Sequence, residues 1–131
     1  GLTEKVKMLG YISDKALPAY YGACDLFCLS SIQKTEAFGI VPIEAMSCGK
    51  PVVATRIPQS GVAWVNAEQE SGRNVPPENA KELAEAIHAI LKEEEVYAGF
   101  SHRAKLRYES WFTQGKMIQK CLDLYQRLLC Q

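Results

Sequence analysis

Two acidic residues could do chemistry in the segment EAFGIVPIEAMSCGKPVVAT, residues 36–55. Glu36 precedes a Gly-containing turn, and Glu44 lies inside an apolar run that has no other charge. A carboxylate in apolar surroundings needs hydrogen-bond donors, and a pair of sugar hydroxyls would supply them. The plainer alternative is that each acid complements a helix dipole or lies on a solvated face, and spacing alone favours that alternative.

The residues after Glu36 predict a helix that begins near Gly39 and stops at Gly49. The first amides of such a helix have no partner inside it, and the helix dipole favours negative charge there. Glu44 lies one turn inside, and helical side chains lean toward the amino end, so its carboxylate is expected to reach the same place. This arrangement is typical of an anion site with an adjacent hydroxyl-binding acid.

The elements that would position these residues follow an alternating pattern of short β-rich runs and helical stretches. Three apolar runs are predicted strands: residues 6–12, 26–30 and 51–55. The strand over 26–30 is expected to be buried on both faces. Further predictions are a helix over 15–24 capped by Ser13 or Asp14, a loop over 56–79 with a brief strand at 73–75, and helices from Asn79 onward. The fold class is therefore α/β, a Rossmann-like parallel sheet flanked by helices, whose ligand sites lie at the carboxyl ends of the strands.

Composition limits the possible functions. The 131 residues are 47% hydrophobic and 23% charged, which fits one globular domain. Lys and Arg total 15 and Asp and Glu total 15, so nothing in the charge favours binding to nucleic acid. The five cysteines sit among apolar neighbours and are predicted to be reduced core residues of a cytosolic protein. No apolar run is long enough for a membrane span, and the first residues lack a secretion signal.

The segment over residues 36–55 resembles the E-x7-E segment of glycosyltransferase family 4. The members of this family are retaining sugar-nucleotide transferases of the GT-B fold. Glu36 and Glu44 match the two acids of that segment. The likeness continues through GYISDKALPAYYGACDLFCLSS before it and SGRNVPPENAKELAEAIHAIL after it, and covers residues 6–91. Order, spacing and hydrophobic context agree together.

The resemblance implies that residues 1–131 are the donor-binding, C-terminal part of a larger two-domain hexosyltransferase, with a nucleoside diphosphate sugar as donor. It implies that Glu44 holds the donor ribose and that the catalytic Glu36 contacts the transferred sugar. Backbone groups over the intervening turn would bind the rest of the donor: Ala37, Phe38 and Gly39 the sugar, Ile40 and Val41 the phosphates. By a looser correspondence, Gly10 and Tyr11 at the end of the first predicted strand would approach the base.

A metal-independent mechanism is expected, because the three aspartates of the chain are isolated from one another and form no Asp-x-Asp pair. The family's phosphate-binding Arg and Lys from earlier strands are absent from these residues. Lys34, Lys50 and Arg56 are the nearby cations, and each is expected to be solvated surface charge. The loop IPQSGV also differs from the commoner form with two consecutive glycines, which affects how Ser60 and Gly61 meet the sugar or acceptor.

The expected role is sugar transfer in polysaccharide or glycoconjugate biosynthesis, at a cytoplasmic location or the cytoplasmic face of a membrane. The acceptor, a sugar or a lipid-linked sugar, would bind through an N-terminal domain, and the final apolar helix would cross back to that domain. Peripheral membrane association of the full-length protein stays open. The isolated chain is expected to be inactive. Two other classes are kept as alternatives: another GT-B-like enzyme such as a sugar-nucleotide epimerase or phosphorylase, and a non-catalytic α/β binding module.

Overall fold

The computed structural model describes residues 1–130 and contains one parallel sheet in the order β1-β2-β3. The strands are β1 (Phe27–Leu29), β2 (Val52–Thr55) and β3 (Gly72–Val75). The central strand β2 is buried along its whole length and pairs in parallel with both neighbours. The strand predictions at 51–55 and 73–75 are therefore confirmed.

Six helices cover the sheet and extend beyond it within residues 1–130. They are α1 (Leu17–Ala23), α2 (Ile40–Ser47), α3 (Val62–Val65), α4 (Ala80–Leu91), α5 (Glu94–Trp111) and α6 (Gln114–Leu129). Alternate residues of β2 face opposite sides of the sheet. Val52 and Ala54 join a core with Met46 of α2, whereas Val53 joins a second core with Ile90 of α4. Helices thus lie on both faces, and the predicted Rossmann-like α/β class is confirmed.

Glycines bound the helix that carries the acidic segment. Gly39 precedes α2 with φ of 91°, and Gly49 follows its end with φ of 70°. Both values lie in the left-handed region that glycine adopts without steric cost. The predicted limits of this helix are confirmed. The helix that was predicted from Asn79 onward begins at Ala80. Asn79 caps it, since its side chain accepts a hydrogen bond from the Glu82 amide at 3.1 Å.

The predicted first strand over residues 6–12 is wrong. These residues form no strand pairing in the described part of the chain, and Met8 and Tyr11 are 89% and 88% exposed. A parallel strand is stable only when a neighbour satisfies its backbone groups, and β1 pairs with β2 alone. The predicted cap at Ser13 or Asp14 is also wrong, because the capping position of α1 is Ala16. The first turn of this helix contains Pro18.

Burial at the sheet edge is lower than the sequence indicated. Strand β1 was expected to be buried on both faces, yet Cys28 is exposed and its neighbours are half-buried. The reason is that an edge strand is covered on fewer sides than a central one. The five cysteines are free, but none is buried: Cys24 and Cys48 are half-buried, and Cys28, Cys121 and Cys130 are exposed. Their assignment to the core is therefore wrong, except that the half-buried Cys48 packs against the core around Met46.

Helix α6 has an apolar face that packs against little else in residues 1–130. None of its residues is buried, and Leu122, Tyr125 and Leu128 are each at least half exposed. Its Thr113 cap accepts a hydrogen bond from the Lys116 amide at 3.4 Å. Across the same residues, no helix has the length and apolar character that crossing a bilayer requires.

Candidate functional site

The amino end of α2 begins at a turn that only glycine fits. At Gly39 the backbone is left-handed, and a Cβ there would lie 3.2 Å from Cγ2 of Val62. The amides of Ile40 and Val41 have no acceptor inside the helix, and no hydrogen bond to them is present among residues 1–130. Ile40 is 65% exposed. The helix therefore presents unpaired donors at an open surface.

The loop after β2 fixes the backbone that leads into this turn. The Ser60 hydroxyl donates to the Glu36 carbonyl at 2.5 Å, and the Gly61 amide donates to the Ala37 carbonyl at 2.7 Å. The Val62 amide in turn donates to the Ser60 hydroxyl at 3.2 Å. A Cβ at Gly61 would lie 3.0 Å from Cδ2 of Phe38, so glycine permits the close approach. Ser60 and Gly61 thus hold residues 36–37 in place.

Thr55 joins the two strands from which these loops emerge. It ends β2, and its hydroxyl donates to the carbonyls of Leu29, at 3.4 Å, and Ser31. Both contacts lie at the carboxyl edge of the parallel sheet, where ligands of doubly wound folds bind. The loops carrying Glu36 and Ser60 therefore leave the sheet from one tethered edge.

Glu44 has a protein hydrogen-bond donor that the sequence analysis did not identify. The Tyr21 hydroxyl of α1 donates to Glu44 Oε2 at 2.9 Å. The expected need of this carboxylate for hydrogen-bond donors is thus met in part by the protein itself. Burial, and then the hydrogen bond to Glu44, raise the pKa of Tyr21 above its ordinary value, so its hydroxyl stays protonated and can donate.

Glu44 and Tyr21 line an open pocket of about 230 Å³ between α1 and α2. Asp14, Leu17 and Ser47 are among the other residues that line it. This pocket includes none of the residues 36–41, so the structure places Glu44 beside α1 and the turn residues beside the loop after β2. The contact of one ligand with both Glu36 and Glu44 stays a prediction.

The remaining predicted site residues are contiguous and accessible. Glu36 is half-buried, and in the described chain only its backbone groups make hydrogen bonds. Ala37 and Phe38 are exposed, and Gly39 is buried. Their assigned roles at a sugar stay predictions.

The residues predicted to approach the base, and the cations near the acidic segment, lie mostly at exposed positions. Gly10 and Tyr11 lie in the exposed segment that forms no strand, so their expected position at a strand end is wrong. Lys34 is exposed, and Arg56 approaches the exposed Glu68 at 4.0 Å with most of its side chain in solvent. Lys50 is half-buried beside Gly49.

An aromatic cluster adjoins the turn at Phe38. The ring centroids of Phe38 and Trp64 are 6.0 Å apart, and Trp111 and Phe112 meet Trp64 edge-on at 6.1 and 5.6 Å. Arg107 holds the backbone below the cluster, donating to the carbonyls of Val65, at 2.8 Å, and Trp64. Trp64 nevertheless remains 52% exposed, so it both packs and borders the surface near the turn.

Tyr21 is the functional candidate that sequence reasoning missed. Its position in the apolar stripe of α1 indicated only packing. A signal was available, because a buried tyrosine hydroxyl needs a partner and Glu44 needed a donor. The short helix α3 was also missed, since its four residues lie in a stretch rich in loop-forming residues.

The chemistry of this site suits a phosphorylated, hydroxyl-bearing ligand. Free amides at a helix amino end bind anions, and carboxylates accept hydrogen bonds from hydroxyls. The two kinds of group lie on the same helix, at Ile40 and Glu44, about one turn apart.

Comparisons with known proteins place these features in a family. Phosphatidyl-myo-inositol mannosyltransferase of Mycobacterium leprae is 32% identical over 126 residues, which are 94% of this chain and 33% of that protein. O-antigen chain mannosyltransferase C of Escherichia coli is 27% identical over 96% of this chain and 34% of its own length. Anabaena HepE, solved in complex with UDP, has a TM-score of 0.87 at 30% identity over 97% of this chain and 34% of that chain.

The chain thus spans about a third of the length of each of these proteins. HepE was also solved in complex with UDP-glucose. The close structural match confirms the expected GT-B glycosyltransferase fold class. The sequence pattern of a family described as "Glycosyl transferases group 1" matches residues 1–107. Since that match covers well over half of the chain, the chain belongs to the group 1 glycosyl transferases.

Proposed function

We propose that residues 1–131 are the donor-binding part of a retaining glycosyltransferase that transfers a hexose from a nucleoside diphosphate sugar. The observation that carries the proposal is the amino end of α2, where free amides and a tethered turn lie after Glu36 in the chain and about one helical turn before Glu44. Membership of the group 1 family supports the reaction class. UDP complexes of the similar protein HepE support the donor class.

The diphosphate would bind at the amides of Ile40 and Val41. Cleavage of the bond between the anomeric carbon and the diphosphate oxygen leaves the electron pair, and so negative charge, on the diphosphate. Preorganised donors stabilise that charge as it develops, because they need no rearrangement in the transition state. The turn at Gly39 is held by the Ser60 and Gly61 contacts, which gives this preorganisation a structural basis.

The two acids would bind hydroxyls on either side of the diphosphate. Glu44 would accept hydrogen bonds from the ribose in the pocket beside α1. Glu36, with Ala37 and Phe38, would contact the transferred sugar on the side of the loop after β2. In this assignment Glu36 is the catalytic residue, since it touches the group that reacts.

The remaining parts of the proposal concern the whole enzyme. The mechanism would be independent of metal, and the acceptor, a sugar or lipid-linked sugar, would bind to a separate N-terminal domain. O-antigen chain mannosyltransferase C and the phosphatidyl-myo-inositol mannosyltransferase support a role in polysaccharide or glycoconjugate biosynthesis. A cytoplasmic site of action, with or without peripheral membrane contact, belongs to the same proposal. The matches do not favour the epimerase or the non-catalytic binding module.

The donor site can be tested by NMR titration of the chain with UDP, GDP and ADP. We expect weak binding, because these residues contain none of the family's phosphate-binding Arg and Lys. NMR is suited to this test because it detects binding in the millimolar range. We expect one nucleotide to shift the amide resonances of Ile40, Val41 and Ser47, and Glu44→Gln to weaken its binding about tenfold or more.

The control variant is Glu85→Gln, which changes an exposed acid on α4 and is expected to leave the affinity unchanged. Failure of all three nucleotides to shift the α2 resonances would contradict the proposal. Equal affinities for the wild-type and Glu44→Gln chains would remove Glu44 from the site.

A further inference from the structure

We propose that Tyr21 is a positioning residue that orients the Glu44 carboxylate for the donor ribose. The inference rests on the proposed function, because it assigns a role to Tyr21 only if Glu44 binds the donor. The contact that carries it is the 2.9 Å hydrogen bond from the Tyr21 hydroxyl to Glu44 Oε2. This hydrogen bond joins α1 to α2 through two residues that are 23 positions apart in the sequence.

The Tyr21 ring is held firmly enough to act as a fixed donor. The residue is 8% exposed and belongs to the core that contains Met46 and Val52. Its ring packs on Phe27 of β1 with centroids 5.7 Å apart and planes inclined by 58°. Pro18 fixes the backbone in the first turn of α1. The hydroxyl therefore reaches Glu44 from a ring that packing prevents from moving aside.

Glu44 by contrast has a long side chain and is only half-buried. Ordering such a side chain costs entropy, which a bound ligand would otherwise have to offset. The hydrogen bond from Tyr21 orders the carboxylate before any ligand arrives. A carboxylate has about four acceptor positions and the hydroxyl occupies one of them, so both oxygens can still accept from a ligand.

The surroundings of the pair suit one ring of a larger ligand. Both side chains line the pocket of about 230 Å³ between α1 and α2. This volume is below the roughly 300 Å³ at which pockets begin to hold whole drug-sized ligands. The lining includes the apolar Leu17 and Pro18 as well as polar side chains, so the pocket can contact both a ring face and its hydroxyls.

The test compares a ribonucleotide with its 2′,3′-dideoxy analogue, because the two ligands differ only in the hydroxyls assigned to Glu44. The nucleoside diphosphate among UDP, GDP and ADP that binds most tightly is titrated against the wild-type chain and three variants. Tyr21→Phe removes the hydroxyl and keeps the ring in the core. Glu44→Gln removes the charge, and Tyr20→Phe is the matched control, since Tyr20 is the exposed neighbour on the same helix.

We expect the wild-type chain to prefer the ribonucleotide by about tenfold or more, as hydrogen bonds to a charged group allow. Tyr21→Phe should lower this preference about three- to tenfold, which corresponds to releasing one ordered side chain. Glu44→Gln should lower it at least as far, and Tyr20→Phe should leave it unchanged. Circular dichroism and thermal unfolding are used to check that each variant is folded.

The outcomes separate the two proposals. If Glu44→Gln lowers the preference and Tyr21→Phe does not, the positioning role is overturned and the donor site stands. If Tyr21→Phe weakens both ligands equally, its role is structural and the inference is likewise overturned. If the wild-type chain has no preference, or Glu44→Gln retains it, the ribose assignment fails and the role of Tyr21 fails with it.

Discussion

Gly39 sets the direction in which the backbone enters α2. Its left-handed φ of 91° costs an L-residue with a side chain free energy, and a Cβ would also press on Cγ2 of Val62 at 3.2 Å. The turn that aims the Ile40 and Val41 amides therefore depends on the absence of a side chain. This is a requirement of one residue, independent of any ligand.

Gly39→Ala is expected to lower the free energy of unfolding by about 1–2 kcal/mol, because it adds strain at a positive φ. Urea denaturation measures the change. Gly22→Ala is the control: Gly22 lies inside α1 with open space at its Cβ position, so alanine there should stabilise by about 0.5–1 kcal/mol. Equal effects of the two substitutions would show that the turn at Gly39 tolerates a side chain.

The sequence predicted single residues well where local chemistry decided their position. Gly39 and Gly49 marked the ends of α2, and Asn79 marked the start of α4, because caps depend on neighbours only a few positions away. The partner of Glu44 could not be read from the same signals. Tyr21 reaches it through the packing of α1 on α2, which no local pattern specifies.

At the scale of elements, Arg107 of α5 stabilises the short helix α3. It is 9% exposed, and its guanidinium donates to the carbonyls of Val65 and Trp64 and to Glu70 Oε1 at 3.3 Å. These carbonyls lie at the carboxyl end of α3 and have no later turn of helix to bond to. A four-residue helix is unstable alone, so α3 depends on contacts with other elements. These are the burial of Val62 and Val65 in the core and the hydrogen bonds from Arg107.

Arg107→Met should lower the free energy of unfolding by about 2–4 kcal/mol, since the methionine keeps most of the volume and leaves buried carbonyls unpaired. Chemical denaturation gives the value. Arg103→Met on the same helix is the matched control. Within residues 1–130, its exposed guanidinium donates to the Glu70 carbonyl at 3.2 Å and lies 4.8 Å from the centroid of the Phe100 ring. Since these contacts are exposed, we expect a loss below about 1 kcal/mol. A small loss at Arg107 would mean that α3 does not depend on it.

Elements were predictable when their own pattern was sufficient. The buried run in β2 and the apolar stripe of α4 satisfy the strand and helix patterns without reference to distant residues. Residues 6–12 have a strand-like composition, but strand formation also needs a neighbouring strand, and in residues 1–130 they pair with none. Helix α3 is the opposite case, a helix whose stability comes from another element.

At the scale of the molecule, the proposed function needs more groups than residues 1–130 present. In the proposal, the free amides and carboxylates bind the donor. The apolar face of α6 and the segment around Tyr11 remain largely exposed in residues 1–130. Transfer requires donor and acceptor to be held together in one geometry. The proposed enzyme therefore needs a second binding surface.

The isolated chain is expected to bind a nucleotide and to show weak or no sugar transfer. A coupled assay with UDP-, GDP- and ADP-hexoses would measure release of the nucleoside diphosphate in the presence of simple sugar acceptors. The Glu36→Gln chain gives the background rate, since it removes the proposed catalytic carboxylate. Robust turnover that disappears in Glu36→Gln would show that residues 1–131 contain a complete active site.

The aromatic cluster gives the protein an intrinsic optical reporter. The sequence contains two tryptophans, and their rings lie 6.1 Å apart beside Phe38. All indole fluorescence therefore originates at this one surface. Emission from indole shifts with the polarity of its surroundings, and both rings are about half exposed. A ligand or protein that covers this face is expected to shift the emission wavelength, so binding near the turn can be followed without a dye.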